Sequence, residues 1–280
     1  IEINDFAVTV AKTALWIAES QMLRETETIV RYEIDFLPLK SDANIVEDNA
    51  LRRDWESVIP KDKLNYIMGN PPFIGARLME QGSQQKTEVQ ENFGNIKDVQ
   101  DLDYVTCWYN IAAKYIQNTQ IEVCFVSTNS ICQGSQVPIL WNVLLNDFHV
   151  HINFAYQTFR WNSESTDQAA VHCVIVAFST FNRGEKYLFP AESGRMLVRN
   201  ISPYLTEGDD AFVVAAKEAI CNVPKMNFGN QPRDGGFFVI SPEEREEILA
   251  KEPGLEKWLH PYIGAEEFIK GKKRYCLWLV

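Results

Sequence analysis

The apolar run at residues 63–68 (KLNYIM) reads as a strand, and it is stopped by Gly69-Asn70-Pro71-Pro72-Phe73. Two successive prolines offer no N–H to a ladder and fix φ, so the strand ends at this turn instead of continuing through a sheet. No other feature constrains the chain as strongly. Any sheet that forms must carry Asn70, Pro71, Pro72 and Phe73 at the C-terminal end of one of its strands.

The pattern around that strand alternates. Asp5 is placed to cap a helix reaching about residue 23, with Phe6, Val10, Ala14, Ile17, Ala18 and Met22 on one face. A short strand is expected at 44–47, and the polar, Gln-rich stretch at 75–100 reads as a long surface excursion. Residues 103–115 read as a helix, 121–127 (IEVCFVS) as a fully buried strand and 138–145 as a helix. Residues 149–156 and 170–178 are expected to form an antiparallel pair at one sheet edge, joined by a polar loop at 162–168. Strands alternating with helices predict an α/β fold. Past Arg183 the chain is punctuated by Gly and Pro, which puts a boundary near 185–200 and divides the chain into 1–190 and 191–280.

Charge and composition remove several function classes. The net charge of −11 is concentrated in residues 1–180, which hold 13 Lys and Arg against 23 Asp and Glu, while 181–280 hold 14 against 15. Such a chain would not coat nucleic acid electrostatically, though one face can still touch it. No run approaches the roughly 18 consecutive apolar residues of a membrane span, and no basic segment leads into an apolar core, so a soluble, cytoplasmic protein without a membrane partner is expected. Six cysteines lie scattered without a CxxC pair, which predicts reduced thiols and no metal site.

The turn at 69–73 has a chemistry of its own. An amino group conjugated to a ring is a poor nucleophile and needs acceptors that draw its hydrogens out of plane. The side-chain oxygen of Asn70 can be one acceptor, and Pro71, lacking an N–H and rigid in φ, can present its carbonyl as the second. Phe73 is placed to stack on a planar base, which must leave a duplex to arrive there. Acceptors so arranged favour a developing tetrahedral nitrogen over the planar ground state.

These residues resemble the N6-adenine DNA methyltransferases of the class I, S-adenosylmethionine-dependent type, and within them the MmeI-like restriction–modification group. The likeness runs through nearly the whole chain. It implies a Rossmann-like sheet, S-adenosyl-L-methionine as cofactor, and double-stranded DNA as partner. Glu2 in Ile1-Glu2-Ile3-Asn4 is similar to the family's acidic residue for the cofactor ribose, with Ile3 against the adenine. Asp48-Asn49-Ala50-Leu51 resembles the motif that contacts the cofactor adenine, Asn49 being the better match and Asp48 its neighbour. Asn70 would also border the cofactor. Asp103-Tyr104-Val105 with Trp108-Tyr109, and Phe125 through Ser130, resemble the elements lining the base pocket. Asn227-Phe228-Gly229-Asn230 and Gly264 through Phe268 resemble the start of a target-recognition domain. Phe159 or Trp161 could offer the second face for the base. His172 reads as a core histidine, and Lys270, Lys272, Lys273 and Arg274 form the densest basic cluster.

The family's glycine-rich first motif has no counterpart upstream of Glu2. The resemblance therefore implies a sheet lacking its first strand, poor activity of this chain alone, and self-association through an exposed sheet edge. Two alternatives remain open at this level: a protein glutamine-N5 methyltransferase, which shares the turn, and a non-catalytic DNA-recognition or assembly module.

Overall fold

Asn4, one residue earlier than the sequence suggests, caps the first helix: its side-chain oxygen accepts the Ala7 N–H at 2.9 Å. This helix, α1 (Asp5–Val30), runs past residue 23 because no Gly or Pro interrupts Arg24–Val30, and it ends with Arg31 at φ 55°. Val8 is its only buried residue. The computed structural model describes residues 1–31, 44–161, 171–191, 194–214, 216, 221–224 and 234–279. They fall into two compact units, Ile1–Ala215 and Ala216–Val280. The polar loop expected at 162–168 and the Asn227–Asn230 motif lie outside the described residues.

In the first unit the expected strand at 44–47 is reduced to a single parallel bridge between Glu2 and Glu47. The strand before the turn is β1 (Tyr66–Gly69). The stretch at 75–100 is not a surface excursion. It contains α2 (Gln84–Phe93), capped by Ser83, with Glu88, Val89 and Phe93 buried. Then come α3 (Thr106–Tyr115), β2 (Glu122–Thr128), α4 (Gln136–Asn142) with a wider π turn to Asp147, β3 (His151–Trp161), β4 (Val171–Ser179), β5 (Lys186–Phe189) and β6 (Met196–Val198). Pro138 is tolerated because it falls in the first turn of α4, where a backbone N–H has no helical acceptor.

The six strands make a mixed sheet in the order β1-β2-β4-β3-β5-β6. β1 pairs in parallel with β2, β2 antiparallel with β4, β3 antiparallel with β4, and β3 in parallel with β5. The antiparallel pair predicted at an edge therefore lies inside the sheet. Two strands of four and three residues, too short to stand out as apolar runs, extend it beyond β3. At the opposite end β1 is an edge, with Tyr66 and Met68 64% and 82% exposed, and no described strand links it to the Glu2–Glu47 bridge.

β2 is not buried on both sides. Val123, Phe125 and Ser127 turn inward while the residues between them are half-buried. The inward row meets α3: the Tyr109 ring stacks on Phe178 at 5.5 Å, lies edge-on to Phe125 at 5.3 Å, and its hydroxyl bonds the Ser127 Oγ at 2.7 Å. Burying a tyrosine is inexpensive only when its hydroxyl finds a partner, and Ser127 supplies it. His172, expected in the core, is exposed on β4 instead, while Cys173 and Val174 after it are buried beside an irregular register with β3.

The second unit holds a three-stranded antiparallel sheet, ordered β7-β9-β8, from β7 (Val239–Ile240), β8 (Leu259–Tyr262) and β9 (Arg274–Leu277). α5 (Pro242–Lys251) begins with a reciprocal Ser241–Glu244 capping box, and α6 (Ala265–Lys270) follows β8. The basic cluster is largely neutralised in place. Glu266 pairs with Lys270 and Lys272, and the buried Glu267 with Arg274.

Candidate active site

β1 ends in the turn as the prolines demand. Asn70 is exposed, Pro71 buried, Pro72 exposed and Phe73 half-buried. Among the described residues, nothing donates a hydrogen bond to the Asn70 side chain or to the Pro71 carbonyl. The loop beyond is pinned at two points from the start of α3. The Ala76 N–H donates to Asp103 Oδ1 at 2.7 Å, and the Tyr104 N–H donates to the Ile74 carbonyl at 2.9 Å. Asp103 is buried, and its second oxygen accepts the Ser130 hydroxyl at the end of β2.

A cavity of about 840 Å³ opens beside β1. Its wall brings together Glu2, Ile3, Asp48, Asn49, Asn70, Pro71 and Pro72, drawn from three separate stretches of sequence. Phe73 does not line it, nor do Phe159 and Trp161, whose rings lie 6.3 Å apart at the far end of β3. Tyr104 and Trp108, edge-to-face at 5.2 Å, and Trp55 add aromatic surface. Pockets for small molecules commonly occupy a few hundred to a thousand Å³, with apolar walls and a few placed polar groups, and this one has that character.

The Glu2 backbone is fixed by two hydrogen bonds to the 46–48 segment, its N–H to the Val46 carbonyl and its carbonyl from the Asp48 N–H, each 3.0 Å. Its Oε1 accepts the Asn4 N–H at 2.9 Å. Asp48 accepts the Asn49 N–H at 2.8 Å and pairs with Arg53 at 3.4 Å. Asn49 is already engaged on both ends of its amide: the oxygen accepts the Leu51 N–H at 2.9 Å, and the nitrogen donates to Glu88 Oε1 at 2.8 Å.

Glu88 is the group that sequence reasoning missed. It is 3% exposed on α2 and gathers Asn49, Arg52, Gln84 and the Tyr104 hydroxyl. Burial works against its charge, but these four donors outweigh burial and hold the carboxyl below the ordinary glutamate value. Tyr104 is pushed well above the ordinary tyrosine value by burial and by that carboxylate. The available signal was weak: Gln84 and Glu88 at helical i, i+4 spacing, with the apolar pair Val89 and Phe93 at the same spacing immediately after Glu88.

Comparison with known proteins places this geometry. Residues 1–190 match the family model described as the MmeI DNA-methyltransferase domain, and 207–280 match the MmeI target recognition domain. The chain is 42% identical over 283 residues to DNA methyltransferase A of Bacillus subtilis (strain 168), covering 100% of this chain and 32% of that protein. It superposes on the Type IIL restriction–modification enzyme MmeI, solved in complex with DNA, with a TM-score of 0.92 and 40% identity, covering 99% of this chain and 38% of that one. The chain thus spans well under half the length of the relatives it matches. A mixed α/β sheet whose edge strand ends in the Asn-Pro-Pro-Phe turn, with Glu2 and Asp48 lining the same cavity as that turn, is here accompanied by two consecutive family matches, and the chain belongs to the MmeI family of DNA methyltransferases.

Proposed function

We propose that this chain is the catalytic and target-recognition portion of a site-specific DNA adenine-N6 methyltransferase using S-adenosyl-L-methionine, the modification activity of a restriction–modification enzyme. One observation carries the reading: Asn70, Pro71 and Pro72 of the turn and Glu2, Ile3 and Asp48 from two distant segments line one and the same cavity. The donor set suits the cofactor. Carboxylates at Glu2 and Asp48 accept hydrogen bonds from hydroxyl and amino groups, Ile3 offers an apolar wall to an adenine, and the volume suits a nucleoside with its side chain. Asn49 serves in this reading through its loop, since its amide is already bonded at both ends.

The bound cofactor supplies an electrophilic methyl group. The protein supplies the geometry for the nucleophile. The Asn70 oxygen and the Pro71 carbonyl, both free of other donors among the described residues, accept the hydrogens of the adenine amine and pull its nitrogen toward a tetrahedral shape. Phe73, which follows these acceptors in the turn, stacks on the flipped base. These acceptors are set before reaction, so little reorganisation is needed as charge develops.

The match of residues 207–280 to a target recognition domain and the likeness to DNA methyltransferases favour DNA over a protein glutamine as substrate. The test is the identity of the product. DNA treated with the full-length protein and S-adenosylmethionine, digested to nucleosides and resolved by mass spectrometry, should contain N6-methyldeoxyadenosine. Methylated cytosine, or methyl transfer only to protein, would overturn the reading.

A further inference from the structure

The two loops that wall the cavity are joined through one buried carboxylate. Glu88 Oε1 accepts Asn49 Nδ2 at 2.8 Å, Arg52 Nε at 2.8 Å and Gln84 Nε2 at 3.0 Å, while Oε2 accepts the Tyr104 hydroxyl at 2.5 Å. Asn49 and Arg52 belong to the segment on the Glu2 side of the cavity. Tyr104 is hydrogen-bonded through its N–H to the Ile74 carbonyl, one residue beyond Phe73. Glu88 is thus two hydrogen bonds from the loop after the turn and one from the 48–53 segment.

Packing alone does not account for such a residue. An apolar side chain of similar volume generally costs less in a protein interior than a carboxylate that must be matched by four donors. A satisfied buried network instead fixes one arrangement of the parts it joins. The donors here come from three elements: the 48–53 segment, α2 and the start of α3. Asn49 can hold only one rotamer while its nitrogen serves Glu88 and its oxygen serves Leu51.

We propose that Glu88 is a positioning residue for methyl transfer, touching neither substrate, which sets the 48–53 wall of the cavity against the Asn-Pro-Pro-Phe turn so that the cofactor and the amine meet in one geometry. The proposal rests on the methyltransferase reading. It predicts that the two oxygens of Glu88 serve different halves of the reaction. The Oε1 arm sets the cofactor wall, and the Oε2 arm, through Tyr104, sets the turn.

The test uses the full-length protein, with cofactor affinity read by titration calorimetry and transfer read by single-turnover labelling of DNA. Glu88→Gln can keep its oxygen toward the three Oε1 donors and turn its amide to the Tyr104 hydroxyl, which is able to accept, so it should fold. With the charge gone, the Oε1 donors face a neutral oxygen and Arg52 loses its ion pair, so S-adenosylmethionine binding should weaken about tenfold and transfer should slow as well. Tyr104→Phe removes the Oε2 arm and keeps the ring that lines the cavity. It should weaken cofactor affinity far less than Glu88→Gln does and slow transfer by roughly tenfold to a hundredfold. Loss of thermal stability in both variants with unchanged affinity and unchanged single-turnover rate would overturn the proposal and leave Glu88 a packing residue. Equal loss of both quantities in both variants would overturn the division between its oxygens. A wild-type protein that neither binds the cofactor nor methylates DNA would instead remove the methyltransferase reading, and the proposal with it.

Discussion

Asp103 accepts the backbone N–H of Ala76 at 2.7 Å, so a side chain at the foot of α3 holds the loop that follows Phe73. The carboxylate is buried and also takes the Ser130 hydroxyl at the end of β2, which makes β2, α3 and the turn one rigid unit. Truncation would leave the half-buried Ala76 N–H unpaired and the Ser130 hydroxyl with only that of Thr128 as partner. Asp103→Ala is expected to destabilise the fold by about 1–3 kcal/mol. It should also slow methyl transfer by about a hundredfold through displacement of the turn. Cofactor affinity should stay near wild type, since the Glu2 and Asp48 wall is untouched. Urea unfolding together with single-turnover transfer checks both parts, and a variant with full transfer rate would contradict the clamp.

Gly69 precedes the turn where the chain crosses closest to the core. A Cβ there would stand 3.3 Å from Phe125 Cε1 and 3.4 Å from Cδ1. Phe125 is itself held by Tyr109 and Phe178, so its ring can give only slightly. Gly69→Ala should cost little, because reduced freedom of the unfolded chain, about 0.4–1 kcal/mol, offsets the crowding. Gly69→Val adds two methyls to the same space and should cost about 1–3 kcal/mol. Equal stability of the two variants in urea would show that the approach is looser than described.

The carboxyl of Glu88 titrates below its ordinary value, so the folded state holds its proton less tightly than the unfolded chain does. Such a group stabilises the fold fully above the ordinary value of 4.5, and the benefit is lost as pH falls through the depressed folded value. The acid limb of the stability curve should therefore be shallower in Glu88→Gln than in the wild type, with the two converging at the lowest pH. Parallel acid limbs from pH 7 downward would show that the carboxylate contributes nothing to pH-dependent stability.

Thiol reactivity should follow burial. Cys107 and Cys132 are buried in the core and pushed far above the ordinary thiol value by burial, and Cys124 is raised to about 11 by burial and by Glu122, whereas Cys221 is exposed. Maleimide labelling near neutral pH, mapped by mass spectrometry, should modify Cys221 first and reach Cys107 and Cys132 only after denaturation. Early labelling of Cys107 would place α3 outside the core.

The strands and the turn were legible because their physics is local. Two prolines end a strand wherever they occur, and IEVCFVS is a strand in any setting that can bury it. The gathering of Glu2, Asp48 and Asn70 came from the family resemblance, and all three line the same cavity. What escaped was set by partners distant in sequence. α2 looked like a surface stretch because Gln84, Gln85, Glu88, Gln90 and Glu91 dominate it, and the burial of Glu88 depends on Asn49 and Arg52, 39 and 36 residues away. β5 and β6 were invisible for a related reason: strands of four and three residues acquire their identity from the sheet that they extend.

Asn70 and Pro71, at the end of β1, are proposed to act on an adenine amine in the cavity that Glu2 and Asp48 also line. Single-turnover transfer of a labelled methyl group from S-adenosylmethionine to DNA, comparing the full-length protein with its Asn70→Ala variant, tests this most directly. The wild type should yield label at adenine N6, and the variant should lose at least about a hundredfold in rate with cofactor affinity retained. A variant that transfers at the wild-type rate would contradict that role.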